Sequence, residues 1–207
     1  MTGRLSVALV LFSNPSSGAI FVNPTPAITY DALANTDLIV NNLQIAATNV
    51  YNDLRFPAGN VSSPGVPNAP AEVILNTSIP VLQFTQNEII YFNAQMSHDY
   101  WPNTTLRPHL HLSSTASTVT NVWEFRYSNA DIGGVYPTPT LITFTNTTSG
   151  VNLEHELFNV GDMDGFATGV SGMSGCSLKL ISNTTANLLE VDIHYRVKYL
   201  GGPEFNP

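Results

Sequence analysis

Leu188-Leu-Glu-Val-Asp-Ile-His-Tyr-Arg-Val-Lys-Tyr199 alternates along its whole length. Leu189, Val191, Ile193, Tyr195, Val197 and Tyr199 share one face of an extended chain. Leu188, Glu190, Asp192, His194, Arg196 and Lys198 share the other. Period-two patterning marks a half-buried β-strand, because successive Cβ atoms point to opposite sides of the pleat. Residues 118–128 repeat the pattern, with Trp123, Phe125 and Tyr127 set against Val122, Glu124 and Arg126.

Working outward from these two runs, shorter apolar stretches recur at 73–75, 81–84, 88–93, 110–112, 139–145, 154–160 and 177–182. Turn residues separate them, drawn from 14 Gly and 14 Pro. The pattern predicts an all-β, antiparallel β-sandwich of about eight strands. A jelly roll is the expected topology, with another two-sheet arrangement as the alternative.

The N-terminal quarter reads differently. Residues 5–12 and 19–22 suggest two strands around a turn at Asn14-Pro-Ser-Ser-Gly18. Residues 5–12 also imitate a short signal peptide, but one basic residue before them is little, and a strand is the expectation. Residues 31–54 fit two readings. Leu33, Val40, Leu43, Ala47, Val50 and Leu54 follow a heptad-like spacing, whereas Leu43, Ile45 and Ala47 fit a strand. Dense Asn and Thr lower helix propensity there. The expected organisation is an N-terminal arm over 1–55 and a sandwich over 56–207, with 57–71 as a Pro/Gly loop.

The chain has 207 residues, 15 acidic and 7 basic, for a net charge of -8. That argues against nucleic-acid partners and anionic membranes, both of which need a basic face. No stretch has the ~20 apolar residues of a membrane helix. Charged residues are only 11% of the chain, against about 25% in an ordinary soluble domain. A free monomer usually carries more, so the shortage suits a subunit of a larger assembly. The lone Cys176 excludes an intramolecular disulfide and a cysteine zinc cage, and reads as a buried apolar thiol. The Asn-x-Ser/Thr sites at Asn60, Asn76, Asn103, Asn146 and Asn183 are expected by chance in so Asn/Thr-rich a chain.

The most specific chemical feature is His109-Leu-His111. Histidines two apart on a strand share a face, as a metal site on a sheet requires, and His194 could add a third ligand. Cupins carry such a pair inside a jelly roll, but no Glu follows here within residues 112–118. The expected role is therefore structural, as hydrogen-bonded sheet histidines, with no metal. Asp162-Met-Asp164-Gly165 is a fragment of a calcium loop without its later ligands, and reads as a turn. Residues 169–175 are Ser/Gly-rich without nucleophile-elbow spacing and read as a flexible loop. Glu154 and Glu156 flank His155 and could in principle form a hydrolytic pair. Tyr100, Trp101 and Tyr127 could stack on a sugar. No catalytic residue and no cofactor is assigned.

Several runs together resemble a family of virion structural proteins of tailed bacteriophages. They are Asp53-Leu-Arg55-Phe-Pro57, Phe92-Asn-Ala-Gln95-Met-Ser-His98-Asp-Tyr100, Arg107-Pro-His109-Leu-His111, Val122-Trp-Glu-Phe-Arg-Tyr-Ser128 with Ile132-Gly-Gly134, and Asp192-Ile-His194-Tyr195 ending in Leu200-Gly-Gly202. They span residues 53–202. Ser97 departs from the family's usual Pro, and Leu112 from the aromatic that often follows the histidine pair. The resemblance implies a β-sandwich, trimeric, on the virion, and related jelly rolls cement the major capsid protein lattice. Three readings follow: a capsid decoration protein, a tail or fibre component binding glycans, and a metal-dependent or hydrolytic enzyme.

Overall fold

The computed structural model describes residues 28–30, 38–40, 50–61, 68–168 and 171–197. Among these described residues twelve strands run in chain order: β1 Ile28–Tyr30, β2 Leu38–Val40, β3 Tyr51–Pro57, β4 Ala71–Leu75, β5 Ile79–Phe84 and β6 Ile89–Gln95. Then come β7 Arg107–Ser113, β8 Thr120–Ala130, β9 Thr140–Thr147, β10 His155–Asn159, β11 Met173–Leu180 and β12 Ala186–Arg196. Apart from one 3-10 turn at Ala58–Asn60, the described residues hold no helix, and none long and apolar enough to cross a membrane.

The last eight strands fold as a jelly roll. One sheet runs β10-β7-β12-β5, the other β6-β11-β8-β9, and every pairing is antiparallel. The chain is a long hairpin of hairpins, β5 with β12, β6 with β11, β7 with β10 and β8 with β9, rolled over two layers. β4 extends the first sheet beyond β5. β3 pairs with the second half of β12, Tyr51 through Pro57, on the edge whose first half β5 takes. It spans the boundary expected at residues 55 and 56, so residues 51–55 belong to the sandwich. Pro80 lies within β5, where β12 no longer pairs, so its missing N–H costs no ladder bond to that strand.

Inward alternation builds the core. Leu110 and Leu112 from β7, Trp123, Phe125 and Tyr127 from β8, Leu178 and Leu180 from β11, and Val191, Ile193 and Tyr195 from β12 are all buried. Trp123 packs edge-on against Phe84 at 5.3 Å, and its indole N–H donates to Asn146 Oδ1 at 2.7 Å. Cys176 is buried, as expected, and burial pushes its thiol up to about 12.

The opening stretch departs from strict alternation at one point. The register with β7 shifts between Leu188 and Glu190, a β-bulge. Leu188 is therefore fully buried with Leu112, not on the polar face, and Leu189 is only half-buried. β11 begins at Met173, so the expected flexible loop over 169–175 is a strand from that residue on. The predicted strands at 5–12 and 19–22, most of the ambiguous stretch, and residues 198–207 lie outside the described residues, while β1 and β2 form a short pair of their own.

Candidate functional site

On the outer face of the first sheet, alternation turns His109 and His111 from β7, Asp192 and His194 from β12, and Asp53 and Arg55 from β3 the same way. The register sets His109 opposite Asp192, Asp192 opposite Arg55, and His194 opposite Asp53. His155 joins from β10. Four of the chain's five histidines thus gather around one carboxylate.

Asp192 is 5% exposed and sits at the centre. Its Oδ2 lies 3.2 Å from His111 Nε2 and 3.3 Å from His194 Nε2. Its Oδ1 lies 3.3 Å from His109 Nδ1. Neither of those last two atoms has a hydrogen-bond partner, although both are buried. His194 Nε2 also lies 3.1 Å from Asp53 Oδ1. The rings of His109 and His194 meet edge-on at 4.1 Å.

Further out, His111 Nδ1 is 2.7 Å from His155 Nε2, with the rings stacked. If neutral His111 donates from Nε2 to Asp192, its Nδ1 must accept, which makes His155 the donor through Nε2. Burial holds His109 below the ordinary histidine value, His194 adds to the shift, and Asp192 opposes it. Arg55 donates to both oxygens of Glu190, at 2.6 and 2.7 Å, so its fork is engaged away from Asp192.

The sequence reading saw His109, His111 and His194 but missed Asp192, His155 and Asp53. A period-two signal gives the face of each residue, not which strands are neighbours. The pair also differs from a cupin's, since Leu110 and Leu112 fill the interior and the histidines point outward. Three of the motif runs, those holding Asp53, His109 and Asp192, lie on the adjoining strands β3, β7 and β12. The run ending at Tyr100 touches the same strand: Tyr195 donates to Asp99 Oδ1 at 3.1 Å and accepts from Asn52 Nδ2 at 3.0 Å.

The other candidates part company. Tyr100 and Tyr127 are core residues, their hydroxyls donating to Thr104 O at 2.7 Å and Asp164 Oδ2 at 3.1 Å, so neither is a sugar platform. Trp101 lies under the Arg196 guanidinium at 4.6 Å. Asp162 pairs with Arg107 at 3.5 Å while Asp164 holds Tyr127. Met163 between them bridges Leu106 in both directions, so the expected turn is instead a short extended segment against the sheet. Glu154 accepts from the Ser149 hydroxyl and Glu156 Oε1 from the Ser149 backbone N–H at 2.7 Å, so both cap a turn. His98 Nε2 lies 2.9 Å from Ser171 Oγ.

The second sheet offers a groove of ≈ 770 Å³. Tyr91, Asn93, Arg126, Ser177 and Tyr136 line it, and Gly175 lies among them. A Cβ at Gly175 would meet only Asn93 Oδ1, at 3.8 Å, so the small residue leaves open space over the strands. The volume is that of a small-ligand site, and sequence reading found neither tyrosine.

No family model and no curated protein matches this chain. Among solved structures it is similar to CBM35 from Cellvibrio japonicus Abf62, with 11% identity over 72% of this chain and 100% of that one, TM-score 0.45. A family 35 carbohydrate binding module from Clostridium thermocellum is 10% identical over 69% of this chain and 97% of that one, TM-score 0.44. The infectious bursal disease virus VP2 subviral particle is 8% identical over 83% of this chain and 38% of that one, TM-score 0.37. At this distance these likenesses bear on neither ligand nor assembly.

Proposed function

We propose that this chain is a non-enzymatic structural protein of a tailed-phage particle, a homotrimeric decoration protein set on the major capsid protein at the capsid surface. The observation that carries the reading is apolar surface left open on a chain with little charge. Ile132, Val135 and Tyr136 between β8 and β9, and Leu141 on β9, are all exposed, Val135 by 90%. Such surface suits burial against a protein neighbour. The resemblance over residues 53–202 supports the same reading.

Gold-labelled antibody on purified particles tests it. Label spread over heads is the expected result, and Val135→Asp should then reduce occupancy without unfolding the protein. Unlabelled particles would overturn it.

The groove favours a second reading, a tail or fibre component that binds glycans. Tyrosine rings can stack on the apolar face of a sugar while Asn93 and Arg126 bind hydroxyls. Tail-restricted label, with glycan binding lost in Tyr136→Ala, would favour it over decoration.

A further inference from the structure

The geometry points to a divalent transition-metal site, of the zinc class, built by His109, Asp192 and His194 on the outer face of the first sheet. One donor atom from each of the three lies within 4.8 Å of the other two. A tetrahedral zinc ion with ligands at about 2.0–2.1 Å needs donors about 3.3 Å apart. His109 Nδ1 lies 3.3 Å from Asp192 Oδ1 and His194 Nε2 3.3 Å from Asp192 Oδ2, so the carboxylate would turn slightly to present one oxygen to both or hold the ion with its two oxygens. Asp53 Oδ1, 3.1 Å from His194 Nε2, stands near enough to serve as a fourth ligand where water does not.

Charge gives an independent reason. Asp192 is 5% exposed, and among the described residues no lysine or arginine forms an ion pair with it. Its nearest arginine on β3, Arg55, is taken by Glu190. The Arg55 charge still reaches Asp192 through space but is shared with Glu190. A buried carboxylate with so partial a counter-charge is costly, a cost a dication would offset. The atoms left without partners, His109 Nδ1 and Asp192 Oδ1, lie 3.3 Å apart, the separation of two ligands of one tetrahedral ion. Imidazole and carboxylate donors suit zinc and its transition-metal neighbours better than calcium, which takes six or more oxygens. His111, on Asp192 Oδ2 and itself backed by His155, orients the carboxylate from outside the ligand set. The site would tie β3, β7 and β12 together. It is independent of the particle reading, since metal content and particle labelling are separate measurements.

The test uses untagged full-length protein, stripped with a chelator and titrated with zinc alone, then with cobalt. Expected are one zinc per chain at micromolar concentration, a rise in melting temperature, and the visible absorption of low-coordinate cobalt. His194→Gln, at a partly exposed position, should weaken zinc by at least ~10–100-fold, the range outer-shell changes already reach. Asp192→Asn should do the same, and His98→Gln, at the one histidine outside the cluster, should leave zinc affinity and one zinc per chain unchanged. No uptake by the wild type, or equal affinity in wild type and His194→Gln, overturns the site.

Discussion

The two outer sheet faces rest on one core yet are finished in opposite ways. The face of β3, β12, β7 and β10 turns polar side chains outward and locks them to one another around Asp192. The face of β6, β11 and β8 leaves Tyr91 and Tyr136 open over a glycine. The difference teaches where each face spends its binding capacity. On the first, imidazoles and carboxylates crowd together with two buried donor atoms left unpartnered, so the available chemistry is a small ion. On the second, Arg126 pairs with Glu124 and Ser128 with Pro137 O, and what stays open is ring surface, so the capacity left for a partner or ligand is apolar. A sheet shows this plainly because each strand contributes alternate residues to core and surface.

The largest test strikes what both faces share. Trp123→Ala removes a fully buried side chain and strands Asn146. It should cost about 3–5 kcal/mol in denaturant unfolding and weaken both faces together. If one face survived a loss that large, the two would be independent units.

Tyr195→Phe tests the first face alone. Losing the hydroxyl that donates to Asp99 and accepts from Asn52 should cost about 1–3 kcal/mol by thermal or chemical unfolding. Tyr136→Ala on the second face should stay within ~0.5 kcal/mol, because that ring is 50% exposed. Equal costs for the two would erase the contrast.

Cys176 probes the layer beneath the groove. Its native thiol is held up to about 12, from an ordinary value of 9.0. Between those values the native state keeps a proton that the unfolded state releases, so stability should fall as pH rises above 9.0. A pH series of unfolding midpoints would show it, and the thiol should react with a disulfide reagent only on unfolding. Fast reaction in the native state would mean that the groove floor opens.

The smallest expected effect is Gly175→Ala, within about 0.5 kcal/mol, since the new Cβ meets nothing closer than 3.8 Å. Gly165→Ala makes the informative contrast. There a Cβ would fall 2.1 Å from Thr104 O, and overpacking of that kind costs about 1–3 kcal/mol.

Much of this fold is legible in the chain. Trp123, Phe125 and Tyr127 point inward as their alternation requires, and eight strands were expected for the roll. The exception is local: the bulge after Leu188 changes the phase of the strand, and no residue type there announces it. The exposed tyrosines escaped notice for a similar reason. Tyr100 and Tyr127 look as available in sequence as Tyr91 and Tyr136, and only the fold decides which ring the core takes.

The sequence by itself determined the class, an antiparallel sandwich, because burying one face of every strand requires a period of two and the chain carries it. It also determined which way His109, His111, Asp192 and His194 face along their own strands. Tertiary structure alone decided that Asp192 stands between His109 and Arg55, and that His155 reaches His111. Strand order is set by how apolar faces pack and loops close over long separations, and a local pattern holds no record of which distant strand becomes its neighbour.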